Sequence, residues 1–154
     1  MAVVTAAVVA AAALFVLGGC GGDGADDGAD DGAGGGSDEP AAVELEGTEW
    51  RLVRWRESGL DPLDFTITAA FADGQVSGSS AVNTYSGSYT TGPGNDFSTG
   101  KLAATMMAGP DADMEAESVY LRLLEDAASA HLAGNTLTLF GSDGAETLVF
   151  SAGE

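Results

Sequence analysis

Basic side chains are scarce: five Lys and Arg stand against 24 Asp and Glu, with one histidine. The formal net charge of −19 repels nucleic acid and anionic lipid surfaces, so neither is expected as a charge-driven partner. Cysteine occurs once, at Cys20, which excludes an internal disulfide in the monomer. The only histidine, His131, lies in Ala130-His131-Leu132, which reads as strand and so as a poor member of a Ser-His-Asp device. There is one long hydrophobic run, Met1 to Leu17. A spanning helix needs about 20 apolar residues, and here glycines end the run early, so a secretory signal fits better than a membrane span.

The run closes on Leu17-Gly18-Gly19-Cys20, which resembles a bacterial lipobox. That resemblance implies a signal peptide over 1–19, diacylglycerol on the Cys20 sulfur and an acylated new N-terminus. Several acyl chains hold a protein at a bilayer where one alone binds marginally, so a membrane-anchored, extracytoplasmic location is expected. No Lys or Arg precedes the run. Either translation starts further upstream or export relies on the α-amino charge alone.

Residues 20–42 contain little beyond Gly, Ala, Asp and Ser, with DGAD at Asp23 to Asp26 and again at Asp27 to Asp30. A segment with so little to bury cannot offset the entropy of folding, and its acids repel one another, so a disordered tether is expected. The spacing lacks the ligand pattern of an EF-hand loop. Seven of the 24 acids fall here, leaving 17 against five cations in residues 43–154, a charge near −12. These 112 residues suffice for one domain with its own core.

Within that domain Trp50 to Arg56 reads as a strand, with Trp50 and Trp55 expected on opposite faces. Arg54, Trp55 and Arg56 then form a candidate binding patch on an acidic surface. Phe65 to Phe71 reads as a second strand, joined by Asp73-Gly74 to a third at Gln75 to Gly78. The stretch Gly78 to Gly92, GSSAVNTYSGSYTTG, is crowded with hydroxyls. Alternation puts Tyr85, Gly87 and Tyr89 on one face and Thr84, Ser86 and Ser88 on the other, with Gly78 and Gly87 as sites of bending or close approach. Phe97 to Ala104 is a further expected strand. A helix is expected from Pro110-Asp111 to about Ala128, where Asp113, Glu115 and Glu117 place acids near its positive end. Strands at Ala130 to Ala133, Thr136 to Phe140 and Glu146 to Ser151 follow, the first two joined by Gly134-Asn135. The pattern predicts an α+β fold: a small antiparallel, barrel-like sheet with one main α-helix.

Taken in order, six pieces resemble the META domain, the family of the heat-shock protein HslJ. They are Gly47-Thr48-Glu49-Trp50-Arg51-Leu52; Gly78-Ser79 with Asn83-Thr84-Tyr85-Ser86-Gly87-Ser88-Tyr89; Thr105-Met106-Met107-Ala108 with Pro110-Asp111; Met114, Glu117, Tyr120, Leu121 and Leu124; Gly134 to Leu139; and Leu148-Val149-Phe150. The resemblance implies structural roles for Trp50, Asn83, Tyr85, Gly87, Tyr89, Thr105, Met106, Pro110, Met114 and Glu117, with Asn83 as pivot. Family members often carry cysteines where this chain has Val82 and Gly109, and losing both together implies that the two positions are neighbours in space. No catalytic residues come with the family, which is associated with heat stress, antibiotic tolerance or virulence.

The chemistry in the residues themselves points the same way. Ser98-Thr99-Gly100-Lys101 matches S-x-x-K, but the S-D-N and K-T-G partners of that set are absent. Asp111, Asp113 and Glu115, spaced by two at a helix start, do not share one face as metal ligands would. The expectation is a non-enzymatic envelope lipoprotein, anchored to the membrane at Cys20, whose domain binds a partner or small molecule and contributes to stress tolerance. No cofactor or metal is expected. The alternatives are an inhibitor of a secreted hydrolase and a serine hydrolase using Ser98 and Lys101 or a serine of the Gly78 to Gly92 stretch.

Overall fold

The computed structural model describes residues 41–56 and 59–153. The apolar N-terminal run, Cys20 and the tether up to residue 40 lie outside the described residues.

Nine strands and one α-helix make up the described domain. The strands are β1 (Thr48–Trp55), β2 (Thr68–Ala72), β3 (Gln75–Ser79), β4 (Thr84–Thr91), β5 (Phe97–Thr99), β6 (Ala103–Ala104), β7 (Ala127–Ala133), β8 (Thr136–Gly141) and β9 (Glu146–Ala152), and the helix α1 (Asp111–Glu125) lies between β6 and β7. The sheet runs β5-β4-β3-β2-β1-β9-β8-β7, with β6 also beside β4. All its pairings are antiparallel. A single bridge between Asp96 and Ser129 ties the two ends of that order, so the sheet is a nearly closed barrel. The α+β barrel-like expectation holds.

Local chemistry explains the hairpins. Asp73 and Gly74 both take positive φ, 54° and 70°, the backbone a tight two-residue turn between right-twisted strands demands. The core gathers Leu52, Phe71, Val76, Leu137, Leu139, Leu148 and Phe150 from the strands and Ala116, Tyr120, Leu123 and Leu124 from one face of α1. Along β4, Tyr85 is buried and Gly87 and Tyr89 are half-buried, while Thr84, Ser86 and Ser88 are exposed, as alternation requires.

Most element boundaries move by a residue or more, and four of the changes are instructive. The second strand begins at Thr68, not Phe65: Asp61 accepts from the Leu63 amide and caps a 3-10 turn over Pro62–Asp64, and Phe65 is held as its C-cap with its amide on the Pro62 carbonyl. Phe65 instead packs near Trp55, with ring centroids 6.4 Å apart. The expected strand from Phe97 to Ala104 is split into β5 and β6 around Gly100-Lys101-Leu102. The helix stops at Glu125 because Ala127 already pairs with Gly141 as the first residue of β7. The final strand runs one residue further, to Ala152.

The two tryptophans share a side of the sheet, against the expectation. Leu52 pairs with Phe150 and Arg54 with Val149, so β1 advances two residues while β9 advances one. This bulge at Val53 shifts the alternation, and both Trp50 and Trp55 turn inward, 5% and 7% exposed.

Candidate functional site

The turn between β3 and β4, Ser80 to Asn83, is the polar centre of the domain. Ser80 and Asn83 are buried polar residues, and Asn83 is the position at which the family resemblance implied a pivot. The Asn83 amide N and side-chain Nδ2 both donate to Glu117 of α1, each at 2.9 Å and to different carboxylate oxygens. The Asn83 Oδ1 accepts from Thr105 Oγ1 at 2.7 Å and from the Met107 amide at 2.8 Å. Its Nδ2 also reaches the Met107 carbonyl at 3.2 Å. Asn83 thus closes on Met107 from both sides, as a neighbouring strand would. Ser80 Oγ lies 2.7 Å from Glu117 Oε2 and 2.9 Å from the Asn83 carbonyl. One hydroxyl proton serves one acceptor at a time, and the charged one holds it more strongly. Ala81 within the turn has φ +83°, a backbone conformation that a side chain with a Cβ rarely adopts. No buried side-chain nitrogen or oxygen is left without a partner among the described residues.

Two neighbouring features complete the site. A Cβ built on Gly109 would sit 2.8 Å from Val82 Cγ2 and 3.5 Å from Val82 Cβ, so the two positions are neighbours, as their joint loss of cysteine implied. Beneath the turn, the Tyr85 hydroxyl donates to the Thr68 carbonyl at 3.0 Å and lies 2.6 Å from the Tyr120 hydroxyl. Desolvation is the main cause that pushes both phenols well above the usual tyrosine range.

These residues are those of the family motif, and the comparison with known sequences agrees: residues 43–154 match the META domain family. The chain belongs to the META domain family. Solved structures share the fold. An NMR structure of a protein from Burkholderia xenovorans is 26% identical, covers 71% of this chain and 83% of its own, and gives a TM-score of 0.58. A second NMR structure is 22% identical over 70% of this chain and 90% of its own, with a TM-score of 0.53. The crystal structure of a DUF4847 family protein from Bacteroides vulgatus is 15% identical, covers 70% and 93%, and also gives 0.53. None of the curated proteins matches this chain.

In this META domain the remaining motif residues divide into two groups. Trp50 is core, its Nε1 donating to Thr48 Oγ1 at 2.7 Å. Tyr89 donates to Glu46 at 2.7 Å. Burial, then that contact, pushes the Tyr89 phenol up to about 12, and the same bond is the first cause that holds Glu46 below its usual range. Glu46 also accepts from the Asp73 amide, which ties the segment before β1 to the β2–β3 turn. Gly87 lets Leu102 approach: a Cβ there would meet Leu102 Cδ2 at 2.7 Å. Pro110 precedes α1, and its carbonyl accepts from the Met114 amide. By contrast Met106 and Met114 are exposed, as is Met107.

The candidate patch at Arg54, Trp55 and Arg56 is corrected by the bulge in β1. Trp55 is buried with its Nε1 on the Leu60 carbonyl, and the arginines pair with Glu146 at 2.6 Å and Asp143 at 2.8 Å. No indole is offered to a partner there. Ser98 stands on β5 with its hydroxyl 2.8 Å from that of Thr90, and Lys101 is exposed beyond that strand. His131 is an exposed residue of β7, opposite Thr138. Asp111 and Asp113 lie in the first turn of α1 and Glu115 further along it. Ser80 and Glu46 are the site residues that sequence reasoning missed. Ser80 sits in the hydroxyl-rich stretch from Gly78 to Gly92, but nothing local marks its link to Glu117, 37 residues away.

Proposed function

We propose that this protein is a non-enzymatic, lipid-anchored envelope protein whose META domain serves as a binding module in stress tolerance. The observation that carries the reading is the loop from Thr105 to Gly109. Asn83 pins its backbone at Met107, while the Met106 side chain stands 98% exposed and Met107 and Met114 present further apolar surface. A rigid loop that displays flexible thioethers on an acidic domain suits recognition of an apolar protein or ligand surface. The polar groups of the turn support a structural rather than a catalytic role, because their hydrogen bonds are committed to one another. The lipid anchor at Cys20 rests on the lipobox resemblance.

The test is capture from a solubilised envelope fraction by the wild-type chain and by a Met106→Ser/Met107→Ser variant. The reading expects partners that the double variant fails to retain; equal capture by both removes the loop as the binding surface. Cys20→Ala is expected to abolish lipid labelling, and retained labelling would refute the anchor.

Inhibition of a secreted hydrolase is the second reading, favoured by the same loop, exposed at its tip and pinned at its base. It expects direct inhibition of a purified envelope or secreted protease, lost on Met106→Ser. Covalent capture of Ser98 by a serine-reactive probe would instead support a hydrolase and overturn both.

A further inference from the structure

Methionine ordinarily fills irregular gaps in cores. The described residues hold three methionines, Met106, Met107 and Met114, and all three are exposed, by 98%, 59% and 44%. No described core position uses one. Their order of exposure is also an order of chemical accessibility.

We propose that Met106 is an oxidation site, a thioether that takes the first oxygen atom from a hydroperoxide while the domain stays folded. Thioether sulfur donates an electron pair to the outer oxygen of the peroxide. The O–O bond breaks as the S–O bond forms, and the departing hydroxide takes up the remaining proton as water. Sulfur is oxidised to the sulfoxide, and the peroxide, the only co-reactant, is reduced. Hydrogen peroxide is neutral, so the acidic surface does not exclude it as it would a charged oxidant.

Retention of the fold follows from how the loop is held. The contacts that fix it are made by other groups: Thr105 N to the Thr84 carbonyl at 3.0 Å, Thr105 Oγ1 to Asn83, and the Met107 amide and carbonyl to Asn83. The Met106 sulfur contributes to none of them. Turning it polar therefore removes no buried contact, unlike sulfoxide formation in a core. The inference rests on accessibility and backbone geometry, and stands whether or not the loop binds a partner.

The experiment is a hydrogen peroxide time course on the full-length chain, read by intact mass and by peptide mapping, with thermal unfolding followed on the same samples. Peptide mapping separates Met1 from the three domain methionines. Met106 should acquire oxygen first, followed more slowly by Met107 and Met114, with an unchanged unfolding midpoint for the singly oxidised domain. Met106→Leu should remove the fast phase and leave the slower ones, and treatment with methionine sulfoxide reductases should restore the mass. Oxidation of Met107 or Met114 as fast as Met106 would overturn the proposal. So would a fall in the unfolding midpoint that tracks the Met106 sulfoxide.

Discussion

Asn83 and Glu117 grip each other through two hydrogen bonds of 2.9 Å, across 34 residues of sequence. One comes from the backbone and one from the side chain of Asn83, so the carboxylate fixes both the position and the rotamer of the amide. That rotamer sets where Met107 runs, and the turn between β3 and β4 is thereby coupled to α1 and to the exposed loop.

Breaking this grip should cost more than an ordinary surface substitution. Glu117→Gln replaces one acceptor oxygen with a donor and sets it against an Asn83 or Ser80 donor. A loss of about 1–3 kcal/mol is expected, as for hydrogen bonds to a charged group left unmade. Asn83→Ala should lose at least as much, since four partners are abandoned together. Urea melts of both variants check this; a midpoint equal to wild type for Asn83→Ala would mean the turn holds itself.

Ala81 gives the opposite sign. Its φ of +83° is strained for alanine and free for glycine. Ala81→Gly should therefore stabilise the domain by about 1 kcal/mol, the relief at φ > 0 outweighing the added freedom of the unfolded chain. The same melts measure it, and destabilisation would show that the turn is not strained there.

Val82 and Gly109 predict a context-dependent substitution. Gly109→Ala alone places its methyl against Val82 Cγ2 and Cγ1, at 2.8 and 3.0 Å, and should destabilise. The same change in a Val82→Ala background should be tolerated. With cysteine at both positions, the Cβ separation of 3.5 Å lies within the disulfide range. Mild oxidation should close the bond and add about 3.6 kcal/mol on the chain-entropy estimate for the loop it closes. Mass spectrometry under non-reducing conditions reports closure directly.

The buried phenols set an alkaline limit. Both Tyr85 and Tyr120 have folded-state pKa values raised above about 10, the value of an unperturbed tyrosine. Their contribution is full below that pH and is lost as pH rises through and beyond it, because unfolding then releases protons. Spectrophotometric titration should show two tyrosines ionising only together with unfolding. Tyr85→Phe, which leaves both the Tyr120 hydroxyl and the Thr68 carbonyl short of a partner, should destabilise more than Tyr120→Phe.

Two glycines of the β3–β4 hairpin should respond unequally. A Cβ at Gly78 would lie 2.1 Å from the Thr68 carbonyl oxygen, a backbone atom, whereas at Gly87 the nearest atom is the end of the Leu102 side chain. Backbone yields less readily than a leucine terminus, so Gly78→Ala should lower the unfolding midpoint far more than Gly87→Ala. Equal effects would contradict the close approach of β2 and β3.

Sequence pattern revealed most of the strands because their information is local. Asp73-Gly74 and Gly134-Asn135 mark hairpins by turn chemistry, and Tyr85, Gly87 and Tyr89 mark a face by alternation. Where one residue breaks the period, reading fails: Val53 adds a single step to β1, and everything after it, Trp55 included, is assigned to the wrong side. The Pro62 turn hides in the same way, since Phe65 and Ile67 keep the spacing of a strand that begins later. The family motif pointed to Asn83 and Glu117 separately. Their union was not legible, because a hydrogen bond across 34 residues leaves no periodic trace.

Val43 and Leu45 are buried, Glu46 is fastened to Tyr89 and the Asp73 amide, and the Gly47 amide bonds the Phe71 carbonyl at 2.7 Å. These fastenings lie between the N-terminal segment and β1, a strand flanked on both sides. Tension drawn along the chain from its N-terminal end therefore meets a clasp before it reaches the sheet. Those few residues take up a pull from the N-terminal side ahead of the barrel behind them.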